Sequence, residues 1–158
     1  MTAILVDGYP KADLCNCLAL RQAARHVTQF YDQFLVPTGL RISQFGILAK
    51  LRRIGPMTIN ALARDLVLDR TTLGRNILPL EREGLIEIKK SRTDRRSKEL
   101  HLTERGRERL RAAVEGWVKA QEQFEAKFGD ARSAELRGML RSITAQDLGV
   151  DGDAEVEI

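Results

Sequence analysis

The hydrophobic positions of this 158-residue chain change period along its length, and each change marks a different kind of element. Cys17, Leu20, Ala24, Val27, Tyr31 and Phe34 recur at alternating steps of 3 and 4, the spacing of one helical stripe, and predict a long helix from about Asp13 to Val36. Pro37 and Gly39 end it, because proline disfavours a helical residue before it and glycine accepts the turn that follows. Ser43 is the expected cap of a second helix with Phe45, Leu48 and Leu51 close to one face, stopped at Ile54, Gly55 and Pro56. Thr58 opens a short third helix with Ile59, Leu62, Ala63 and Leu66 inward, and Asp69 caps a fourth carrying Leu73, Ile77 and Leu80. Pro79 lies inside that fourth pattern, where a missing backbone donor predicts a kink or a stop. Glu83, Gly84 and Leu85 form its exit.

After Gly84 the period drops to two. Leu85 to Lys90 and Lys98 to Leu102 read as the strands of a hairpin around the polar loop Ser91 to Ser97. Thr103 then caps a long helix in which Leu110, Val114, Trp117, Gln121, Phe124 and Phe128 step by 4 and 3 until Gly129 breaks it. Leu136, Met139, Leu140 and Ile143 define a last short helix. The fold class is therefore expected to be mainly α with a small β-hairpin. Two long seamed helices need more partner surface than three short helices offer, which points to pairing across a homodimer; the alternative is a monomeric bundle whose stripes face one another.

Composition narrows the class. At 43% hydrophobic and 30% charged residues, the chain suits one globular domain, with no apolar run of the length a membrane helix needs and no secretory leader at Met1 to Val6. A cytoplasmic location follows as the expectation, and two cysteines read as free thiols in a reducing compartment rather than a disulfide framework. Charge matters by position: residues 1–146 hold all 26 bases against 17 acids, whereas the last twelve residues hold five acids and no base. Lys89 to Lys98 alone places Lys89, Lys90, Arg92, Arg95, Arg96 and Lys98 against Asp94. That distribution fits a polyanion-binding face, and equally a solvated surface.

The third and fourth helices supply the discriminating pattern, a short helix, a tight turn and a second helix that is small, polar or basic outside and aliphatic inside. This is a helix-turn-helix, and Arg70, Thr71, Thr72, Arg75 and Asn76 carry groups suited to base edges in a major groove. The basic hairpin directly after it can act as a wing on the neighbouring minor groove. The order of elements, with Leu40-x-x-Ser43-Gln44-Phe45, Leu62-Ala63-Arg64-x-Leu66, Asp69-Arg70-Thr71-Thr72-Leu73, Leu80 to Ile86, Asp94-Arg95-Arg96-Ser97 and Leu102 to Gly106, resembles the MarR family of winged-helix transcriptional regulators over about residues 14–145. The resemblance implies a homodimer on a pseudo-palindromic operator of double-stranded DNA, most simply a repressor, released by a small molecule or an oxidant. It also implies an N-terminal dimerisation helix over 1–38, a winged helix-turn-helix over 39–102 and C-terminal dimerisation helices over 103–147; the acidic tail over 148–158 has too little apolar content to order and is expected to be disordered. Carried onto matching positions, Arg70, Thr71, Thr72, Arg75 and Asn76 face the major groove and Arg95 the minor groove. Asp94 and Arg96 contact DNA or hold the wing in shape, and Lys89, Lys90, Arg92 and Lys98 contact phosphates or are solvated charge.

Cys15 and Cys17 are the remaining chemistry. Read as helical, positions two apart point in nearly opposite directions, so the two thiols share neither a metal nor a bridge unless the segment unwinds. Cys17 lies on the apolar stripe and reads either as a packed residue or, by resemblance to the OhrR-type organic-peroxide sensors, as a reactive thiol. In that resemblance Tyr31 occupies a thiolate-binding position, Arg21 replaces a second tyrosine, and Cys15 is a resolving partner if the first turn frays. Trp117 and Phe124 are candidate walls of an effector pocket. Two rivals remain: a metal-responsive repressor using the Cys-x-Cys pair, and a thiol-dependent peroxidase-like enzyme. No phosphate-binding glycine loop, hydrolytic triad, zinc spacing or paired carboxylate is present, so no enzyme, cofactor or metal is expected.

Overall fold

Cys15 decides where the first long helix begins. In this computed structural model, which describes residues 5–6, 8–91 and 96–148, Cys15 has an extended backbone and its Sγ accepts a hydrogen bond from the Leu18 amide at 3.4 Å. Helix α1 therefore spans Asn16–Leu35 instead of starting at Asp13, with a single 3-10 turn, Ala12–Leu14, ahead of it. Two-residue strands β1 (Leu5–Val6) and β2 (Tyr9–Pro10) pair before that turn and are too short to carry a readable period.

The second helix, α2 (Ile42–Ile54), is capped at Arg41 rather than Ser43. Half of the cap comes from outside the segment: Asp32 on α1 accepts from the Ile42 amide at 2.7 Å, while Gln44 Oε1, within α2, accepts from the Arg41 amide at 3.0 Å. A short strand β3 (Met57–Thr58) leads into α3 (Ile59–Asp65), capped by the Thr58 hydroxyl as expected. Helix α4 (Arg70–Arg82) runs on past Pro79 and does not stop there: the proline removes its own donor, and the Glu83 amide still closes on the Pro79 carbonyl at 3.0 Å. Gly84, with φ of 69°, then takes the left-handed position that stops it, and the Leu85 amide reaches back to the Leu80 carbonyl at 2.8 Å.

The hairpin is β4 (Ile86–Lys90) with β5 (Lys98–Leu102), and β3 adds to it as a third antiparallel strand in the order β3-β5-β4. Thr103 caps α5 (Glu104–Phe128), and α6 (Asp130–Thr144) follows after Gly129. Among the described residues the architecture is six α-helices about a small sheet, mainly α as expected. The acidic tail beyond Leu148 lies outside the described residues.

One core joins the DNA-binding pattern to the long helices. Leu48, Leu62, Leu73, Leu80, Leu85 and Leu100 are fully enclosed, and Leu35 from α1 with Leu110 and Ala113 from α5 complete the same cluster. The α5 stripe differs from expectation: Gly106, Leu110, Ala113 and Ala120 are buried, while Val114 is 44% exposed. Backbone approach sets this rotation, since a Cβ on Gly116 would lie 2.3 Å from the Phe34 carbonyl oxygen. On α1 only Leu35 is buried, which leaves Cys17 and Ala24 exposed and Leu20 at 40%. Exposed apolar side chains continue on α5 and α6 at Val118, Met139, Leu140 and Ile143.

Candidate nucleic-acid interface

The outer face of α4 is set by what its inner face must bury. Leu73, Ile77 and Leu80 enter the core, which turns Arg70, Thr71 and Arg75 to solvent. Asp69 fixes the first turn, accepting from the Thr72 amide at 2.7 Å and from the Thr72 hydroxyl at 2.6 Å. Asn76 is likewise engaged within the protein: its Nδ2 donates to the Thr72 carbonyl at 3.0 Å and its Oδ1 accepts from the Ser43 hydroxyl at 3.0 Å. Of the five side chains expected at the major groove, two thus have polar atoms on protein partners and three are presented outward. Leu78, 56% exposed on this helix, was not singled out from the sequence; its place outside the buried series of Leu73, Ile77 and Leu80 is the signal that marks it.

The Thr72 hydrogen bonds hold the Asp69 carboxyl below its usual range. Asp69→Ala is therefore expected to lower the melting temperature at neutral pH. A depressed carboxyl contributes stability that is present above its unfolded-state pKa of about 4 and lost as pH falls through the lower folded-state value. The two melting curves should therefore converge in acid, and a gap that stays constant from pH 7 to below pH 3 would contradict this role.

Beside α4 stands the hairpin. Lys90 and Lys98 are exposed and directly opposite one another across the two strands, a like-charge pairing that an anion between them relieves. Lys89 pairs with Glu87 at 2.5 Å, and Arg96 is exposed. Arg92, Asp94 and Arg95 lie outside the described residues. At the foot of the loop the Ser91 hydroxyl donates to Glu99 Oε1 at 2.6 Å, and the other Glu99 oxygen meets His101 Nε2 at 3.3 Å. The hairpin is tied back to the long helices by Thr103, whose hydroxyl donates to the Gly84 carbonyl at 2.7 Å. Arg109 on α5 donates to the Thr38 carbonyl at 2.9 Å and to Glu83 at 3.3 Å, so one side chain spans the end of α1, the end of α4 and α5.

A cavity of about 530 Å³ opens between α1, α5 and α6, walled by Leu20, Val27, Phe124, Leu136 and Leu140. Phe124 lines it as expected; Trp117 does not, because it stacks on Phe45 with ring centroids 5.9 Å apart. Its polar side is a relay in which Tyr31 donates to Gln121 at 2.7 Å, and Gln121 and Arg137 both donate to Glu125 Oε1, at 2.7 and 2.9 Å. Burial, with the Glu125 charge adding to it, pushes the Tyr31 hydroxyl above its usual pKa. Ser133, 1% exposed, also lines the cavity, and its hydroxyl has no hydrogen-bond partner among the described residues.

The thiols are placed differently from the helical expectation. Cys15 is the cap of α1 and lies outside the helix, so the opposed directions expected of two helical positions do not apply, and both cysteines are exposed. Cys17 is not packed within its own chain, and exposed Arg21 follows one turn later. Tyr31 is fourteen residues further along the same helix, about 21 Å away, so it cannot reach Cys17 of its own chain. Among the described residues no three His, Cys, Asp or Glu side chains gather as a metal site, and no helix is long and apolar enough to cross a membrane.

The MarR family model matches residues 40–98, from the start of α2 into the second wing strand. A Thauera aromatica relative named for transcriptional regulation of the hcr operon is 30% identical over 82% of this chain and 74% of its own. The organic hydroperoxide resistance transcriptional regulator of Bacillus subtilis is 31% identical, over 57% of this chain and 61% of its own. The structure of the M. tuberculosis transcriptional regulator MosR in complex with DNA superposes with a TM-score of 0.69 at 33% identity, covering 84% of this chain and 99% of that one.

Proposed function

Because this chain belongs to the MarR family of DNA-binding transcriptional regulators, we propose that it works as a homodimeric repressor in the cytoplasm, seated on a pseudo-palindromic operator and released by an effector. The observation that carries this reading is the outward presentation of Arg70, Thr71 and Arg75 on α4 beside the facing Lys90 and Lys98 of the hairpin. Within it, residues 39–102 read DNA, with Arg95 at the minor groove and Arg92, Asp94 and Arg96 completing the wing. Residues 1–38 and 103–147 form the dimer, an assignment supported by the uncovered apolar side chains of α1, α5 and α6.

The test is selection of duplexes from a random-sequence pool, followed by sedimentation of the protein alone and with the enriched duplex. We expect a particle of twice the 17.8 kDa chain mass, one dimer per duplex, half-sites about one helical turn apart and an affinity that falls steeply with salt. Failure to enrich any sequence would contradict the regulator reading.

For release, two observations favour two routes. The cavity between α1, α5 and α6, with a Ser133 hydroxyl that has no partner among the described residues, suits a small and largely apolar effector. The exposed Cys15 and Cys17 suit thiol modification, with any tyrosine contact to Cys17 coming from the second copy. Hydroperoxide treatment of wild type, Cys15→Ser and Cys17→Ser on the enriched duplex separates the routes: release lost in a serine variant assigns the thiol, and equal or absent responses in all three leave the cavity as the effector site.

A further inference from the structure

Gly74 is a glycine that the chain itself does not require. Among the described helical glycines, Gly106 and Gly116 are imposed by packing, since a Cβ there would lie 2.0 Å from the Leu85 oxygen or 2.3 Å from the Phe34 oxygen. A Cβ on Gly74 meets nothing within 4 Å, and its φ lies outside the left-handed region. It stands in the interior of α4, where glycine in place of alanine lowers the folded-to-unfolded ratio roughly fivefold. Gly46 on α2 is equally open, but the positions around Gly74 are those that face outward for DNA.

Residues three and four apart are neighbours on a helix surface, so Thr71 and Leu78 flank Gly74 on either side. Leu78 is 56% exposed and brings an apolar side chain onto a face otherwise made by Arg70, Thr71, Arg75 and Arg82. At Gly74 the helix surface therefore drops to bare backbone, with Thr71 one turn before it and the exposed Leu78 one turn after it. In a major groove the thymine C5-methyl is the base-edge group that offers neither donor nor acceptor, and it is the group that fits an apolar notch.

We propose that Gly74, with Thr71 and Leu78, receives the C5-methyl of one thymine in each half-site, so that the helix reads a methyl group beside the bases taken by its arginines. This rests on the DNA-binding reading above. A glycine that merely let the sugar-phosphate backbone approach would be indifferent to the methyl, and that difference is measurable.

The probe is the duplex enriched by wild-type protein, with each thymine replaced in turn by deoxyuridine, which removes the methyl and nothing else. One thymine per half-site should show a loss of about fourfold in wild-type affinity, the effect of one buried methyl group. Leu78→Ala should abolish the distinction between thymine and uridine at that position. Gly74→Ala should melt at a higher temperature than wild type yet bind the enriched duplex about tenfold more weakly, while Gly46→Ala raises the melt and leaves binding alone. Indifference of wild type to every uridine, a consensus lacking that thymine, or unchanged operator affinity in Gly74→Ala overturns this inference alone. A wild type that enriches no duplex removes the DNA-binding reading and this inference with it.

Discussion

Replacing Gly106 by alanine is expected to be the most damaging single-methyl change in the molecule, lowering stability by about 3 kcal/mol and melting by roughly 6 to 12 °C. The added Cβ would sit 2.0 Å from the Leu85 carbonyl oxygen, 2.7 Å from a Leu102 methyl and 3.0 Å from the Leu85 carbonyl carbon. The first and last of these atoms are backbone at the entrance to β4, so no rotamer change relieves the overlap. The same Leu85 oxygen accepts from the Thr103 amide at 3.2 Å, and the Thr103 hydroxyl oxygen lies 3.0 Å from it, so backing α5 away also strains its own N-terminal cap. Thermal melts of Gly106→Ala beside Gly46→Ala provide the check, since the second site is open and should not destabilise. Equal melting of the two variants would mean that the close approach of α5 to the sheet is wrong.

Arg75→Ala is expected to have the largest effect on function with the smallest on folding. Arg75 is exposed on the outer face of α4, and a guanidinium lost from a base edge typically weakens binding by about 1 to 3 kcal/mol, roughly 5- to 150-fold. Arg75→Lys separates its two contributions. Lysine keeps the charge and the salt dependence but loses the planar fork, so it should retain non-specific binding while discrimination between enriched and scrambled duplexes narrows. Titrations at two salt concentrations with both duplexes decide the matter. Parallel losses on both duplexes would assign Arg75 to a phosphate rather than a base.

What the sequence revealed divides along the range of the interaction concerned. The caps at Thr58, Asp69 and Thr103 were readable because each side chain bonds an amide three residues ahead, and the hairpin was readable from a change of period along one short continuous stretch. The Arg41 cap was not, since half of it is Asp32 on another helix. Strand β3 is two residues long and exists only through its pairing with β5. The α5 stripe shifted because Gly116 had to meet the Phe34 carbonyl, a contact that hydrophobicity does not encode. In the DNA-facing helix the residue types were readable, but periodicity alone could not separate outward Arg75 from Asn76, which the Ser43 hydroxyl holds at the junction with α2. Of the cavity only the Phe124 wall was readable, since the others come from helices separated by some ninety residues of chain.

The two glycine contacts of α5 also make that helix a lever. Its backbone rests on the sheet at Gly106 and on α1 at Gly116, while Phe124, at the cavity, lies eighteen residues or about 27 Å beyond the first support. A displacement of about 3 Å at Phe124, with α1 moving alongside at Gly116, would tilt α5 by about 6° around Gly106. Arg109, bonded to Glu83 just past the end of α4, and the Thr103 bond to the Gly84 carbonyl join the base of α5 to the end of α4. If these bonds hold during such a tilt, the same angle carried along the thirteen residues of α4, about 20 Å, would move its leading turn by about 2 Å. That stroke is enough to carry an arginine from hydrogen-bond distance of a base to no contact with it at all.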